Sequence, residues 1–445
     1  MANGASDNDV LEKVINLAKR RGFIFPSAEI YGGFRSTYDY GPLGVNMLRN
    51  VKNAWWKSMV QMRRDIVGID AAILGPPAVW AASGHLETFT APLVDCKKCK
   101  ERWREDKIDG VCPACGSTEF TEARAFNLMF KTQAGPVEGE GATAYLRPET
   151  AQGMFTNFGN VLSATRKKPP FGIAQIGKSF RNEITPQNFV FRTREFEQME
   201  MQYFVKPGTE MEWYKHWKET RMKWHRALGF PDGKHRFHDH LKLAHYANAA
   251  CDIEFEFPFG FKELEGIHSR TDFDLGNHEK FSGKKLQYFD PELNQSYVPY
   301  VVETSIGLDR MFLAVLSQAY AEEKLEDGSD RVVLRIPAML APVKCAVLPL
   351  TKKDGLPEKA REIIDRLKFD HVCMYEEKDS IGKRYRRMDA IGTPLCITVD
   401  HESLENNTVT VRDRDTMQQE RIAIEKIEQL VMDKVDMRSA LKKLV

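Results

Sequence analysis

The chain has 445 residues, a length that predicts about three domains. Hydrophobic residues make up 42% of it and charged residues 29%, as in a soluble globular protein, and no apolar run approaches the ~18 residues that cross a membrane. The net charge of +1 excludes a strongly basic surface, so a nucleic-acid partner would have to contact local clusters of lysine and arginine. The polar, acidic residues 1–9 resemble neither a secretory signal nor a transit peptide, which predicts a cytoplasmic protein.

The first part of the chain predicts two helices and a strand. Residues 7–21 carry apolar side chains at helical spacing, and basic residues end the segment. A longer helix is predicted over about 45–62, followed by a strand over 65–70 and a pair of prolines at 76–77. The pattern by itself does not distinguish a helix buried within one subunit from a helix at a subunit interface.

A Cys-rich insertion occupies residues 92–125, where two C-x-x-C pairs enclose a twelve-residue loop. Each short spacing presents two sulfurs from one turn, and two such turns facing each other form a tetrahedral thiolate site for zinc. A metal is favoured over disulfides in a cytosolic chain, and the alternatives are free thiols or a partly lost zinc site. The predicted zinc ligands are Cys96, Cys99, Cys112 and Cys115. The other cysteines lie in apolar surroundings and are predicted to be core residues: Cys251, Cys345, Cys373 and Cys396.

Two segments further along receive coarser predictions. Residues 127–130 and 144–147 are predicted to be strands of the main sheet on either side of a glycine-rich loop, 135–141. Residues 207–250 predict a helical insertion rich in tryptophan. Its histidines match no metal-binding spacing, so a metal is not favoured there. They are His235, His238, His240 and His245.

The stretch 180–200 holds two clusters of arginine and carboxylate residues. Arg181 and Glu183 belong to the first cluster and residues 192–197 to the second, with a loop marked by Pro186 between them. The flanking residues alternate as two antiparallel strands. A buried guanidinium must meet an anion, and its planar shape suits the oxygens of a phosphate. The alternative is a purely structural network of ion pairs.

Beyond residue 330, short apolar strands alternate with helices. This alternation predicts an α/β domain with a largely parallel core and an edge strand at 408–412. The basic run 383–387 supplies cations and a tyrosine ring that could stack on unpaired bases, and the alternative is a solvated helix face. The predicted strands are 343–348, 371–375, 395–399 and 408–412. The predicted helices are 357–368, 381–391 and 422–435.

Motifs that occur in order along the chain carry a family resemblance. Arg181-Asn182-Glu183, followed by Arg192 and Glu195, resembles motif 2 of the class II aminoacyl-tRNA synthetases. Gly307-Leu308-Asp309-Arg310, which opens an apolar run, resembles motif 3 of the same class. The long helix, the strand and the prolines of the N-terminal part resemble motif 1, which forms the dimer interface in that class.

Three further segments extend the resemblance to the dimeric glycyl-tRNA synthetases, from about Phe23 to the C-terminus. These segments are 146–153, 196–200 and 303–307. The resemblance implies an α+β catalytic domain over 1–335, in which helices flank an antiparallel sheet and which contains the Cys-rich and helical insertions. It also implies a C-terminal α/β anticodon-binding domain over 341–445 and a homodimer without a membrane partner.

The reaction implied by the resemblance is the activation of glycine by ATP with Mg²⁺ and the transfer of glycine to tRNA(Gly). Arg181, Glu183 and Arg310 match the catalytic positions, with Arg181 on the α-phosphate and Arg310 on the γ-phosphate. Glu263 and Glu303 match magnesium positions, since hard oxygen ligands suit this ion. The implied ATP-binding residues are Arg181, Asn182, Glu183, Phe191, Arg192, Phe196, Glu263, Leu264, Gly307, Leu308, Asp309 and Arg310.

The substrate implied by the resemblance has no side chain to bind. Carboxylates around its ammonium would form a charged cage and would also exclude a methyl group by occupying its volume. Arg104 is predicted to lie on a lid that links the Cys-rich insertion to glycine binding. The implied glycine-binding residues are Arg104, Glu149, Phe196, Glu200, Arg270, Glu303, Ser305 and Gly307. The implied tRNA-binding residues are Lys383, Arg384, Arg386 and Arg387.

Two other functions fit part of the pattern. A synthetase-like protein without catalytic activity could keep the same scaffold, but it would not need the phosphate-binding arginines or the acidic cage. A synthetase for threonine, proline or serine could share the core and an accessory domain, but its larger substrate would not need a cage this crowded. ATP–pyrophosphate exchange with each amino acid in turn distinguishes these functions.

Overall fold

The computed structural model describes residues 7–136, 142–184 and 188–444. Three predicted features lie wholly or partly outside the described residues: the start of the polar N-terminal stretch, the glycine-rich loop beyond residue 136, and Pro186. Within the described ranges, no helix combines the length and the apolar character that crossing a bilayer requires.

The two helices predicted in the first part of the chain are present, and the structure adds several short helices that were not predicted. In chain order, the helices of the described residues are α1 (Asp7–Arg20), α2 (Pro42–Trp56), α3 (Pro77–Ala82), α4 (His85–Thr88), α5 (Ala151–Thr156), α6 (Phe158–Thr165), α7 (Glu210–Ala227), α8 (Phe273–Ser282), α9 (Leu308–Ala319), α10 (Leu356–Leu367), α11 (Ile381–Ala390), α12 (His401–Asn406), α13 (Ile427–Val435) and α14 (Met437–Leu441). A π-helical turn, Lys57–Gln61, continues α2, and the two together correspond to the helix predicted over 45–62. Helix α2 begins with Pro42, whose missing N–H has no partner at a first helical position in any case. Single 3₁₀ turns lie at Glu29–Tyr31, Glu105–Lys107, Phe189–Phe191, Ile424–Lys426 and Lys442–Leu444.

The strands are short in the insertions and long in the main sheet. In chain order, they are β1 (Ile24–Pro26), β2 (Tyr38–Tyr40), β3 (Ile66–Gly68), β4 (Leu74–Gly75), β5 (Thr90–Asp95), β6 (Arg102–Arg104), β7 (Arg124–Asn127), β8 (Phe130–Gln133), β9 (Thr143–Leu146), β10 (Phe171–Phe180), β11 (Glu195–Val205), β12 (His235–Asp239), β13 (Ala249–Phe257), β14 (Gly260–Thr271), β15 (Tyr288–Asp290), β16 (Gln295–Tyr297), β17 (Tyr300–Gly307), β18 (Tyr320–Lys324), β19 (Asp330–Leu334), β20 (Cys345–Pro349), β21 (Cys373–Tyr375), β22 (Leu395–Val399), β23 (Thr408–Asp413) and β24 (Gln419–Ala423). Three two-stranded hairpins pair β1 with β2, β15 with β16, and β18 with β19.

The main sheet has seven strands in the order β12–β13–β14–β17–β11–β10–β3. Its neighbours are antiparallel except for β10 and β3, which are parallel. Side chains alternate between its faces, so that along β11 Met199 and Met201 join the hydrophobic core while Glu200 and Gln202 hydrogen-bond to each other on the opposite face. An antiparallel sheet flanked by helices confirms the predicted α+β class.

Helices cover one face of this sheet fully and the other face only in part. Trp55 of α2, Trp217 of α7 and Phe312 of α9 are fully buried in the core on the covered face. Burying a large apolar side chain contributes about 1.5–3 kcal/mol, so this layer holds the sheet rigid. On the other face, Phe158 of α6 packs on Phe204 with ring centroids 4.8 Å apart, but the neighbouring strands keep polar side chains uncovered by helix.

Two predictions about strands in the first part of the chain are wrong. Residues 127–130 and 144–147 do not join the main sheet: β8 and β9 pair with β4 in a separate three-stranded sheet, and β7 pairs with β5. Residues 207–250 are helical only over α7, because β12 (residues 235–239) pairs with β13 as the outermost strand of the main sheet. Local patterning identifies a strand but not the strand with which it pairs.

The C-terminal sheet has the order β21–β20–β22–β23–β24. Strand β20 is parallel to both β21 and β22, whereas β23 and β24 are antiparallel. The predicted parallel core is therefore limited to β21, β20 and β22. The prediction that 408–412 is an edge strand is wrong, because β24 pairs with β23 and forms that edge of the sheet. Buried Asp389 of α11 binds Arg331 and Arg412 at 2.8 Å each, which ties the hairpin β18–β19 to this sheet.

Candidate active site

Three neighbouring strands of the main sheet place polar side chains on its open face. The register of β11 and β17 sets Glu200 opposite Ser305 and Gln202 opposite Glu303, and the register of β14 and β17 sets His268 opposite Glu303. Directly opposed residues share a face and lie within reach of one another. The pairing therefore gathers residues that are far apart in the sequence.

A cavity of about 320 Å³ opens over these strands. Most of the residues predicted for the site line it. They are Glu149, Arg181, Glu183, Phe191, Arg192, Phe196, Glu200, Glu263, Glu303, Ser305, Gly307, Asp309 and Arg310.

One end of the cavity is acidic. Glu303 is held by Nδ1 of His268 and by Nη1 of Arg270, each at 2.8 Å. Glu200 accepts hydrogen bonds from the hydroxyl of Thr150 and the amide of Gln202. These partners fix the positions of the two carboxyl groups at the cavity, where an ionised carboxylate could bind an ammonium group.

The carboxyl groups of the acidic end differ in pKa. Burial raises the pKa of Glu149, but the charges of His85 and Arg270 outweigh this and lower the pKa to about 2. Burial also opposes ionisation of Glu303, but Arg270 and His268 hold its pKa well below the usual range. Burial, followed by the charges of Glu303 and Glu149, raises the pKa of Glu200 well above its usual value. The three acidic groups of this site therefore differ in how readily they ionise, and Glu200 ionises least readily.

The other end of the cavity presents Arg181. Its Nε donates to the carbonyl of Pro148 at 3.0 Å, and its guanidinium lies 5.2 Å from the ring centroid of Phe196. The ring of Phe89 lies 5.5 Å away on another side. The backbone contact and the two rings orient the guanidinium, whose remaining N–H groups suit a phosphate.

Arg310 lies at the start of α9, beside Arg181's end of the cavity. Its guanidinium lies 4.3 Å from the ring centroid of Phe191, and its Nη1 is 3.1 Å from Oε2 of Glu263. The charge of Arg310 lowers the pKa of Glu263 to about 2, although burial opposes this. Asp309 has both carboxylate oxygens occupied, by the hydroxyl of Tyr40 at 2.5 Å and by a backbone N–H at 2.8 Å, so it anchors the start of α9.

Several predicted site residues lie beside the cavity and not on its wall. Leu264 and Leu308 are buried in the hydrophobic core on the other face of the sheet. Arg104 pairs with Asp106 of its own insertion at 2.9 Å, and Arg270 is buried behind the acidic end. The predicted residues that the wall does not include are Arg104, Asn182, Leu264, Arg270 and Leu308.

Glu263 and Glu303, the two residues predicted at magnesium positions, both line the cavity but lie apart along the sheet. Glu303 lies opposite His268, five residues along β14 from Glu263. At about 3.4 Å per residue their backbones are about 17 Å apart along the strand. Glu263 belongs to the arginine end of the cavity and Glu303 to the acidic end.

Sequence reasoning missed some of the residues that line the cavity. His240 is 2.9 Å from Asp252, and the ring of His268 lies beside that of His240, with centroids 6.1 Å apart. Tyr246 stacks under the guanidinium of Arg270 at 4.0 Å. The alternation of side chains along β13 and β14 could have placed Asp252 and His268 on one face of the sheet. Local sequence does not indicate which face of the sheet is left uncovered by helices. The lining residues that were missed are Val190, Thr193, Gln198, His240, Tyr246, Asp252, Gly266 and His268.

Comparison with known proteins gives two domain matches and close relatives. Residues 130–319 match the class II tRNA synthetase core domain (G, H, P, S and T), and residues 344–434 match an anticodon binding domain. A glycine–tRNA ligase of Treponema denticola is 55% identical over 93% of this chain and 94% of its own length. Those of Bacillus anthracis and Chlorobaculum tepidum are 52% and 50% identical over 96% of this chain, and over 99% and 100% of their own lengths.

The chain belongs to the glycine–tRNA ligase family. The family predicted from the motifs is thereby confirmed, and so is its class II core. For a class II core, ATP with Mg²⁺ is the implied cofactor.

The four cysteines of the insertion converge in this member of the glycine–tRNA ligase family. Sγ of Cys96 is 3.6 Å from that of Cys115, and Sγ of Cys99 is 3.6 Å from that of Cys112. All four ligand atoms lie within 4.8 Å of one another. Zinc–sulfur bonds of about 2.3 Å give a tetrahedron with edges of about 3.8 Å. The geometry therefore fits a zinc ion.

The three arginines of the basic run 383–387 make contacts within the protein. Arg384, predicted as a tRNA contact, is 2% exposed and donates to three backbone carbonyls. Arg386 donates to Ser329 and to a backbone carbonyl, and Arg387 pairs with Asp379 at 2.9 Å. Lys383 is exposed.

Proposed function

We propose that this chain activates glycine with ATP to form glycyl-adenylate and then transfers glycine to the 3′ end of tRNA(Gly). The observation that carries the proposal is a single cavity with arginines at one end and a crowded group of carboxylates at the other. Such a cavity suits a ligand with a phosphate group at the arginine end and a small group bearing an ammonium at the acidic end. Membership of the glycine–tRNA ligase family supports the same reaction.

In the first step, a carboxylate oxygen of glycine attacks the α-phosphorus of ATP and pyrophosphate leaves. Positioning and charge neutralisation are what such a step requires of the protein. Arg181 supplies both at the α-phosphate, because Pro148 and Phe196 hold its guanidinium in place. Arg310 contacts the γ-phosphate from the start of α9, where the helix dipole adds positive charge. Phe196 and Phe191 provide the apolar surfaces beside the adenine.

Magnesium, which the class II core implies, fits the residues at the arginine end. The side chain of Glu263 is 50% exposed and its pKa is about 2, so it offers an ionised oxygen ligand. We propose Glu263 as the protein's contact with the ion, while Glu303 binds glycine. When bound, Mg²⁺ would neutralise charge on the phosphates of ATP.

The acidic end selects glycine by charge and by volume. Glu149, Glu200 and Glu303 face the ammonium, and Ser305 lies between β11 and β14 on the same face. A single missing or added methylene changes binding by only about 1–3 kcal/mol in an open apolar pocket. Rejection of alanine therefore depends on side chains that Arg270, His268 and Gln202 hold rigidly where a methyl group would lie.

The contacts with tRNA and with a second subunit are further parts of the proposal. We propose that Lys383 and the outer N–H groups of Arg386 and Arg387 contact tRNA, and that Arg384 supports their helix. We also propose a cytoplasmic homodimer formed through α2 and β3, because β3 is the last strand of the main sheet among the described residues. Light scattering should then give a mass of about twice 51.0 kDa.

The proposed function predicts glycine-dependent ATP–pyrophosphate exchange. Purified chain is incubated with labelled pyrophosphate, ATP and each amino acid in turn. Exchange is expected with glycine, and weaker exchange with alanine and serine, because their side chains collide with the cage. Exchange with threonine or proline but not glycine would overturn the assignment, and no exchange with any amino acid would favour a scaffold without catalytic activity.

The raised pKa of Glu200 predicts that glycine binding depends on pH. Below its pKa the carboxyl group is neutral and does not attract the ammonium, and above it the carboxylate is charged. The KM for glycine should therefore fall as the pH rises through that raised pKa. Above that pKa, Glu200→Gln should raise this KM about 10-fold or more, since a charged hydrogen bond contributes about 1.5–3 kcal/mol, and the variant should lose the pH dependence.

The KM for ATP, measured in the same reactions, is the internal control for this experiment. The pH dependence of the KM for ATP should be the same in the Glu200→Gln variant and in the unaltered protein. If the variant and the unaltered protein have the same glycine profile, Glu200 is not the group that titrates.

A further inference from the structure

Two cysteines of the C-terminal sheet lie side by side at the start of neighbouring parallel strands. The register pairs Cys345 of β20 with Cys373 of β21, and their Sγ atoms are 3.5 Å apart. Neighbouring strands are about 4.8 Å apart. This separation lies within the Cα distances of about 4.4–6.8 Å that a disulfide spans. A bond between the two sulfurs therefore requires rotation of the side chains and no separation of the strands.

The two thiols differ in access and in acidity. Cys345 is fully buried, whereas Cys373 lies on the last strand of its sheet and is only partly buried. The thiol of Cys345 donates a hydrogen bond to the sulfur of Cys373. This hydrogen bond lowers the pKa of Cys373 and raises that of Cys345. The accessible sulfur is thus the one that ionises more easily, and the thiolate is the reactive form of cysteine.

We propose that Cys345 and Cys373 form an oxidation site at which a peroxide converts the two thiols into a disulfide. The Cys373 thiolate attacks one oxygen of hydrogen peroxide, the O–O bond breaks, and the departing hydroxide takes up a proton to form water. Cys373 is then a sulfenic acid. The sulfur of Cys345 attacks the sulfur of Cys373, the S–S bond forms and the S–O bond breaks, and the proton of Cys345 leaves with the hydroxide as a second water. Two electrons pass from the two thiols to the peroxide.

The disulfide would fasten a short edge strand to the middle of its sheet. Strand β21 has three residues and pairs only with β20 among the described strands. The segment after it includes Glu376, whose carbonyl accepts from Arg384 and whose carboxylate lies 3.3 Å from Arg387. Oxidation would therefore restrain the strand and the loop that supports the basic helix α11.

A third cysteine of the same sheet provides a matched control. Cys396 of β22 pairs with Ala346, the residue after Cys345, so its side chain points to the opposite face. It is 1% exposed, and burial raises its pKa to about 12. Cys396 should remain a thiol under conditions that oxidise the other two.

The experiment treats the full zinc-loaded chain with hydrogen peroxide, blocks the remaining thiols by alkylation and maps the peptides without reduction. We expect one cross-linked peptide pair containing Cys345 and Cys373, which dithiothreitol separates again. The oxidised protein should also unfold at a higher temperature than the reduced protein. Cys396 should carry the alkyl label. Alkylation of both Cys345 and Cys373 after peroxide treatment would overturn the proposal.

Single variants distinguish the order of the two steps. Cys345→Ser should leave Cys373 as a sulfenic acid that dimedone captures, since no second thiol resolves it. Cys373→Ser should leave Cys345 reduced, and Cys396→Ser should form the cross-link as the unaltered protein does. If Cys345 is oxidised in the Cys373→Ser variant, the accessible thiol is not the first to react and the proposed sequence is wrong.

Discussion

Replacing Arg181 with alanine is expected to lower kcat for glycine activation by about 10²–10³-fold, the effect of removing one preorganised donor to developing charge. The guanidinium is fixed by Pro148 and Phe196, so the activating group is in place before ATP binds. The measurement is the rate of ATP–pyrophosphate exchange at saturating glycine. Arg181→Lys should recover only part of the rate, because an ammonium keeps the charge but not the planar fork of donors.

Arg236 offers a matched control for this experiment. It also lies on the main sheet, but its side chain is 55% exposed and pairs with Glu254 away from the cavity. Arg236→Ala should change stability by less than about 0.5 kcal/mol and should leave the exchange rate unaltered. If Arg181→Ala, with an unchanged unfolding temperature, exchanges as fast as the Arg236→Ala variant, Arg181 is not the residue that neutralises the α-phosphate.

Replacing Cys112 and Cys115 together with serine is expected to abolish zinc binding and to disorder the Cys-rich insertion. The geometry of the cluster fits zinc, and structural zinc sites contribute folding free energy directly, about 10–16 kcal/mol of apparent binding in isolated zinc-finger peptides. Elemental analysis should find about one zinc ion per unaltered chain and none in the variant. Limited proteolysis should then cut the variant within 92–125. Cys251→Ser, outside the insertion, should retain its zinc.

The same insertion carries Arg104, so its loss should also affect glycine. We propose that Arg104, at the end of β6, moves from Asp106 toward the cavity when substrate binds. The double cysteine variant and Arg104→Ala should therefore both raise the KM for glycine, but only the first should lose zinc. An Arg104→Ala variant with unchanged kcat and KM would show that the insertion is not a lid, whatever its metal content.

The elements of the fold were predictable where local patterning decides them. Helices α1, α10 and α11 lie within a residue or two of the ranges expected from their apolar spacing, and β22 has the predicted bounds. The partners of the strands were not predictable in the same way. Strands β8 and β9 were assigned to the wrong sheet, and β23 to an edge, because pairing depends on contacts between distant parts of the chain.

The candidate site was predictable at the residues that belong to motifs. Arginines and carboxylates in recognisable motifs pointed to Arg181, Glu200 and Glu303, all of which line the cavity. His240 and Tyr246 were missed because they follow no motif and reach the cavity only through the packing of β12 to β14. The burial of Arg384 was not predicted, because a run of basic residues does not reveal which member faces inward.

The sequence by itself determined the family of this protein, the α+β class of its main domain and the four-cysteine cluster. These features depend on residues that lie close together along the chain, so local motifs and spacings reveal them. Only the tertiary structure decided which charges meet. It placed Glu263 and Glu303 at opposite ends of one cavity, and Cys345 against Cys373, because strand register depends on the free energy of the whole packed sheet.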